Sequence, residues 1–331
     1  MRLLLVRLLE WIWYRPNPLK WLLWPLSWVY RAVVRLRQES YRVGLKSVTS
    51  LPVPVIIVGN ITVGGTGKTP CVIWLARELT ARGHQVGVVS RGYGGNGDIW
   101  PQRVEPGSDP EMVGDEPVLI ARATGCRVVV GPNRVAAAQG LLDHSEVDVL
   151  LCDDGLQHHA LGRDMEIAVV DGHRGLGNGF CLPAGPLREP ATRLQTVDAV
   201  LVNGGTWNYT GALRVSLVPQ RVYQLAGPAE RSLQDFRGEH VHAVAGIGNP
   251  KRFFNLLAQA GVIVTPHSHP DHAPLRPADL EFGDEIPVLI TEKDAVKCGS
   301  FAAENVWCVA VVMKFDTDHG ERLMKRVAEA L

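Results

Sequence analysis

The chain lacks the cysteine spacings of a metal ribbon or a disulfide scaffold. Its six cysteines, at positions 71, 126, 152, 181, 298 and 308, are scattered, with no C-x-x-C pair and no His/Cys set at zinc spacing. Several fall inside apolar runs, where a thiol acts as a small hydrophobe, so they are read as reduced core residues of a cytosolic compartment. Net charge is also missing, since 34 Lys/Arg balance 34 Asp/Glu, and bulk charge therefore offers nothing to a nucleic acid. A secretory leader is not expected, because arginines interrupt the apolar N-terminal stretch and no small-residue cleavage site follows it. Repeats and low-complexity tracts are lacking too.

The zero average conceals an uneven distribution. Residues 1–46 hold nine Arg/Lys against Glu10 and Glu39, which leaves the rest of the chain at net −7, and five of the nine tryptophans lie in the first 28 residues. The longest uncharged run of this head, Trp21–Tyr30, has ten residues, whereas a bilayer span takes about 20. Pro16, Pro18 and Pro25 are expected to break it further. Leucine, tryptophan and interleaved arginine suit helices lying in the headgroup plane; the competing reading is an N-terminal helix packed on the protein's own core.

From residue 53 short β-rich runs alternate with helical stretches. Strands are expected at Val53–Val58, Val86–Ser90, Arg127–Val130, Val147–Cys152, Glu166–Asp171 and Ala199–Asn203, with helices at Pro70–Arg82, Met112–Thr124 and Arg134–Asp143. Near-continuous apolar strands separated by helices predict a mostly parallel sheet covered on both faces. The pattern loosens after about residue 205, then resumes with "VHAVAGIGNP", a helix at Lys251–Gly261, "VLITEKDAVK", "NVWCVAVV" and a last helix near Glu321–Leu331. The expected organisation is a head (1–46), a core (47–205) and a smaller C-terminal α/β lobe (206–331).

One further absence lies within a motif. "ITVGGTGKTP" follows the apolar run "VPVIIVGN" and precedes a helix, as a phosphate-binding loop (P-loop) must, yet Thr62 stands where the first glycine of the usual pattern belongs. Gly64, Gly65 and Gly67 are expected to let the chain curl with positive φ. Thr62, Val63, Gly64, Gly65, Thr66, Gly67, Lys68 and Thr69 form the expected nucleotide-binding loop, with Lys68 on the β/γ-phosphates and the Thr69 hydroxyl on Mg²⁺. "VDVLLCDDG" supplies Asp153 and Asp154 after a buried run as further metal ligands; an Asp-Gly turn would read the same way. Core and loop together make the expected fold α/β and P-loop NTPase-like.

ATP binding alone leaves three readings. A GTPase should carry Asn/Thr-Lys-x-Asp, but in "TEKD" (291–294) the lysine and aspartate are adjacent. A membrane-linked switch ATPase of the partitioning type has paired loop glycines too, but needs a lysine where this chain has Val63. A kinase needs a group that orients or deprotonates the acceptor hydroxyl. "MVGDEP" offers Asp115 and Glu116, and "SHPDHAP" offers His269, Asp271 and His272. A carboxylate hydrogen-bonded to an imidazole would serve better than either alone, though spacing cannot show that the two meet.

"GNITVGGTGKTP", "SRGYGG", "GDEP", "GPNR", "DDGLQH", "LPAGPLREP", "GIGNP", "HPDH" and "TEKDAVK" occur in that order over residues 55–297. In this ordered set the chain resembles the tetraacyldisaccharide 4′-kinases, the lipid A 4′-kinases of Gram-negative bacteria, and its amphipathic head matches as well. The resemblance implies transfer of the ATP γ-phosphoryl group to the 4′-hydroxyl of a tetraacylated glucosamine disaccharide 1-phosphate. The product would be lipid IV-A, made by a peripheral or monotopic protein at the cytoplasmic face of the inner membrane, with no obligate protein partner. It implies Asp115 as catalytic base, His272 as its partner, and Lys68 with Thr69 and Asp153 or Asp154 at the nucleotide and metal. Glu116 becomes a further metal candidate, and Arg91, Arg134 and Arg188 become phosphate or substrate contacts. The histidine motif departs from the family's usual continuation by reading "HAPL" (272–275), which favours His272 and weakens any role for the next position.

Overall fold

Strands built almost wholly from Val, Ile, Leu and Ala cannot face water on either side, and they organise the molecule. A computed structural model describes residues 2–299, 301 and 303–331. Its elements begin with α1 (Arg2–Tyr14), α2 (Leu19–Arg42), β1 (Val55–Gly59), α3 (Lys68–Ala81), β2 (Val86–Ser90) and β3 (Gln102–Val104). There follow α4 (Pro110–Val113), α5 (Asp115–Thr124), β4 (Arg127–Val130), α6 (Arg134–Asp143), β5 (Val149–Asp153), β6 (Met165–Asp171) and β7 (Ala199–Asn203). The remainder is β8 (Leu213–Gln224), β9 (Glu230–Arg231), β10 (His240–Ala245), α7 (Pro250–Gln259), β11 (Ile263–Ser268), β12 (Val288–Thr291), α8 (Glu292–Cys298), β13 (Val306–Phe315) and α9 (His319–Ala330).

Among the described residues 13 strands form one sheet, ordered β11-β10-β12-β13-β8-β7-β6-β1-β5-β2-β4-β3, with β9 on β8. Pairing is parallel except at β3–β4, β8–β9 and β8–β13. Every residue of β1, β2, β5, β6 and β7 is buried, as strands covered by helices on both faces require. Val58 pairs with Asp153 on one side and Ile167 on the other. β1, β5, β2 and β4 therefore end nearly level, β6 and β7 run on together past Ala168 to Asp171 and Asn203, and Gly59, Ser90, Val130, Asp153, Asp171 and Asn203 share one edge. The chain order changes direction around β1 and β5, and open α/β sheets bind ligands at such a crevice.

One core layer joins α3, α5 and α9 to the sheet; α6 and the segment around Cys181–Leu194 cover the other face. Residues 206–331 continue the same sheet, because β8 pairs with β7 from Leu201↔Leu213 onward. Two smaller apolar clusters flank the far strands.

Two local expectations need correction. The helix expected over Met112–Thr124 is two helices, divided at Gly114, whose φ of 92° an L side chain rarely adopts. Pro25 does not end its helix: α2 runs through it for 24 residues. The proline removes one backbone donor, but the next turn is held by Ser27 Oγ donating to the Cys181 carbonyl and Tyr30 Oη donating to that of Arg188 at 3.0 Å. Among the described residues no helix is long and apolar enough to cross a membrane.

Candidate active site

β1 delivers the chain into the glycine-rich loop at the centre of the sheet edge. Thr62, at the position of the missing glycine, is buried and forms an antiparallel bridge with Leu187, while Val63 N donates to the Pro186 carbonyl at 2.8 Å. The loop's first corner thus leans on "LPAGPLREP", and a β-branched side chain fits there. Gly64 and Gly67 have φ of 110° and 101°. Gly65, contrary to expectation, does not have positive φ. The close approach there depends on Gly248 instead: a Cβ added to Gly248 would lie 2.6 Å from Gly65 N, whereas one added to Gly65 would meet ordinary contacts from 3.6 Å outward.

Two asparagines fix the loop. Asn60 Nδ2 donates to the Gly64 carbonyl and the Thr66 hydroxyl, both at 3.3 Å. Asn203, the last residue of β7, donates Nδ2–H to the Thr66 carbonyl at 2.9 Å and accepts from Arg252. No side chain caps α3, so its first N–H groups and its dipole are left to an anion. Sequence reasoning did not find Asn203 or Arg252; the only local hint was a polar residue ending a buried strand.

Asp153 and Asp154 separate clearly. Asp153 ends β5 fully buried; Ser90 Oγ donates to its Oδ2 at 3.4 Å and its Oδ1 has no partner. Burial, with the charge of Glu116 next, pushes its pKa up. Asp154 adopts φ 50° and takes Arg188 Nη1 at 3.1 Å on both oxygens, with Lys68 Nζ at 3.6 Å. Burial opposes its ionisation, but Lys68 and Arg188 prevail and hold it at about 2.

Asp115 and His272, 157 positions apart, meet: His272 Nδ1 lies 2.9 Å from Asp115 Oδ1. Gly114 makes this possible by turning the chain so that Asp115, 4 % exposed, begins α5, where the helix dipole favours a carboxylate. Burial opposes its charge; the His272 hydrogen bond and the Lys293 and Lys297 ammonium groups outweigh this and hold it at about 2. His272 sits at φ 60°, in the left-handed region, with the Tyr93 ring edge-on at 4.8 Å. A cavity of about 550 Å³ opens on the pair, lined also by Arg122, Lys297 and Tyr93.

"TEKDAVK" supplies what sequence reasoning overlooked. Thr291 caps α8, which places Lys293 and Lys297 one turn apart. Lys293 Nζ donates to Glu116 Oε1 and Asp271 Oδ1, each at 3.0 Å, and lies 3.3 Å from His272 Nε2. Lys297 Nζ lies 3.4 Å from Asp115 Oδ2 and donates to Asp294 at 3.0 Å. Two lysines at i, i+4 were the available signal. Glu116 feels Lys293 and Lys68 together and, against the effect of burial, is lowered; it links the dyad to the loop.

The remaining candidates lie apart from the dyad. Arg134 is 3 % exposed at the start of α6, donating to the Gly131 carbonyl at 3.1 Å. Arg91 is exposed on the loop after β2, Arg188 is committed to Asp154, and His269 makes no side-chain hydrogen bond among the described residues. The "GIGNP" turn reaches the loop from the C-terminal half, with Asn249 donating to Asp171 at 3.3 Å and Arg174 Nη1 to the Gly248 carbonyl at 3.5 Å.

A glycine loop between a buried strand and a helix, opposed by an acid–imidazole pair, defines a P-loop kinase. The model of the tetraacyldisaccharide-1-P 4′-kinase family matches residues 19–328, and the chain belongs to that family. It is 50 % identical over 318 residues to the tetraacyldisaccharide 4′-kinase of Nitrosococcus oceani, covering 96 % of this chain and 94 % of that one. It is 53 % identical over 304 residues to that of Alkalilimnicola ehrlichii, covering 92 % and 91 %. Among solved structures, LpxK from Aquifex aeolicus in complex with ATP superimposes with a TM-score of 0.76 at 29 % identity, over 94 % of this chain and 99 % of that one.

Proposed function

We infer that this chain transfers the γ-phosphoryl group of ATP to the 4′-hydroxyl of a tetraacylated glucosamine disaccharide 1-phosphate, giving lipid IV-A in lipid A biosynthesis. The single observation that carries the reading is the Asp115–His272 pair joined through Lys293 and Glu116 to the Lys68 loop. Loop amides and Lys68 hold the β/γ-phosphates, while Asp115 orients the acceptor hydroxyl. The 4′-oxygen–phosphorus bond forms, the bond to the ADP oxygen breaks, and the hydroxyl proton passes to Asp115. A carboxylate held at about 2 is a weak base, so the proton moves late, once bond formation has made the hydroxyl acidic. In domain terms, residues 47–205 form the kinase core and 206–331 a smaller lobe that completes the site. Assay of ³²P transfer from ATP to the lipid precursor, beside free phosphate release, tests this. Hydrolysis without acceptor phosphorylation would instead favour the switch ATPase.

Mg²⁺ is expected with the nucleotide, where it neutralises phosphate charge. The donors fit it: Asp153 presents a buried, unpartnered oxygen near the Thr69 hydroxyl's helix, with Glu116 close enough to shift its pKa. Among the described residues no three His, Cys, Asp or Glu could hold a metal alone, as suits an ion that keeps phosphate and water ligands. Asp154, committed to two cations, is the weaker candidate. Because Asp153 is raised, the metal must displace a proton from it. Calorimetry of metal–nucleotide binding in buffers of different ionisation enthalpy should therefore show proton release near neutral pH, lost in Asp153→Asn. Equal release in the variant would remove Asp153 from the metal.

We propose further that the head lies on the membrane surface, at the cytoplasmic face of the inner membrane where ATP is available. Leu19, Leu22, Leu26, Val29, Val33 and Leu36 are exposed on α2, Leu22 at 76 %. Their 3–4 spacing makes one apolar stripe, and Trp21, Trp24 and Trp28 lie beside it. Deletion of the head is a poor test, because Trp13 Nε1 donates to the Pro183 carbonyl at 2.9 Å and Ser27 is buried. The double variant Leu22→Asp, Val29→Asp spares those contacts and should cut co-sedimentation with anionic vesicles by about tenfold or more. Unchanged co-sedimentation would place the anchor elsewhere. Nucleic acid and an obligate protein partner have no part in this reading.

A further inference from the structure

We infer that Lys293 is a positioning residue that fixes the tautomer of His272, and so makes Asp115 rather than the imidazole the acceptor of the hydroxyl proton. The inference rests on the kinase reading for its purpose but on geometry for its content. An ammonium group has three donors and no acceptor. Lys293 Nζ has three partners within reach: Glu116 Oε1 at 3.0 Å, Asp271 Oδ1 at 3.0 Å and His272 Nε2 at 3.3 Å. Since the lysine can only donate, Nε2 must accept. The imidazole proton is then on Nδ1, where it donates to Asp115 Oδ1 at 2.9 Å.

The neighbouring groups would otherwise choose differently. Asp271 Oδ2 lies 3.6 Å from Nε2, and a carboxylate facing that nitrogen favours a proton on it. With the lysine removed, carboxylates face both ring nitrogens. Lys293 satisfies one of these acids and takes its place at Nε2. The ammonium is well placed to stay charged, since burial opposes its charge but Glu116, Asp115 and Asp271 together raise its pKa. Lys297, one turn along α8, acts on the carboxylate instead, lying 3.4 Å from Asp115 Oδ2 and donating to Asp294.

With Nδ1 protonated, His272 can donate to Asp115 but cannot accept a proton from it without first giving one up. Within the pair, the proton acceptor facing the cavity is therefore Asp115, whose Oδ2 lies 3.4 Å from Lys297 Nζ.

The test reads the tautomer directly, by two-bond ¹H–¹⁵N correlation on the full chain labelled with ¹⁵N-histidine, His272 being assigned from the spectrum of His272→Gln. In the wild type Nδ1 should be protonated and Nε2 not; a proton on Nε2 overturns the proposal without recourse to any variant. Lys293→Met should gain a proton on Nε2 and lose about 10–100-fold in kcat, with KM for ATP within about twofold. Lys293→Arg should keep the wild-type spectrum and recover part of the rate, and Lys297→Met should keep the spectrum. A Lys293→Met spectrum identical to the wild type, or the same tautomer change in Lys297→Met, overturns it. The spectra are recorded without substrates, so failure of the lipid-kinase assignment would leave them readable and separable.

Discussion

Asp115→Asn should lower kcat by about 10²–10⁴-fold while KM for ATP stays within about twofold. The carboxamide keeps the shape of a side chain that is nearly inaccessible, and its oxygen can still accept from His272 Nδ1. What it loses is the charge that orients the acceptor hydroxyl and the lone pair that receives its proton. ATP affinity should survive, because the loop is held by Asn60 and Asn203, neither of which touches Asp115. The same change should carry a pH-dependent stability cost. Asp115 titrates at about 2 in the fold against an ordinary value of 3.8, so its ionised form stabilises the native state above about pH 4. That contribution disappears as pH falls toward 2. The thermal midpoint of Asp115→Asn should therefore lie below the wild type at pH 7 and converge with it in acid. His272→Gln should cost less, and the double variant should be little worse than Asp115→Asn alone, because the two act as one unit. A kcat within threefold of the wild type in Asp115→Asn would remove the residue from proton transfer.

What was legible in the sequence is what depends on neighbours along the chain. Three glycines, Lys68 and Thr69 between an apolar run and a helix state a local backbone requirement, and the strands Val86–Ser90, Arg127–Val130 and Ala199–Asn203 appear with the bounds their apolar runs imply. Asp115 and His272 were each visible as candidates, but their 2.9 Å contact depends on sheet order and on the turn at Gly114, which spacing does not encode; only the ordered motif set joined them. Gly114 itself was hidden because apolar periodicity runs across it from Met112 to Thr124 while the helix breaks there. "TEKD" was weighed as a guanine reader and set aside, although the helical spacing of Lys293 and Lys297 carried the useful signal. The C-terminal strands look separate in sequence because β7 reaches β8 without a helix, yet Leu201↔Leu213 pairing makes the sheet continuous. Pro25 shows the converse: a strong local rule yielded to tertiary anchors at Ser27 and Tyr30.

Gly67→Ala should weaken ATP binding by about 100-fold, and the reason can be separated from general damage to the fold. Two penalties act at this residue. Its φ of 101° costs an L side chain roughly 1–2 kcal/mol. Its Cβ would also lie 2.3 Å from Asn203 Nδ2, a distance no contact tolerates, so Asn203 must leave the Thr66 carbonyl it holds at 2.9 Å. Losing that bond costs about 1 kcal/mol more and leaves a buried donor and acceptor unpaired. The sum, about 2–3 kcal/mol, corresponds to roughly 100-fold in affinity if it falls on the loop conformation that binds phosphate. Gly83→Ala supplies the comparison: φ there is 95°, with nothing within 4 Å of the added Cβ. It carries the same backbone strain at the far end of α3 without the collision. Gly83→Ala should therefore lower the thermal midpoint and leave the ATP dissociation constant unchanged, while Gly67→Ala should change both. Relaxing the collision with Asn203→Ala in the Gly67→Ala background should recover less than it removes, because Thr66 then loses its donor altogether. Were Gly67→Ala to bind ATP as tightly as Gly83→Ala does, backbone strain alone would account for the glycine, and Asn203 would have no part in shaping the phosphate loop.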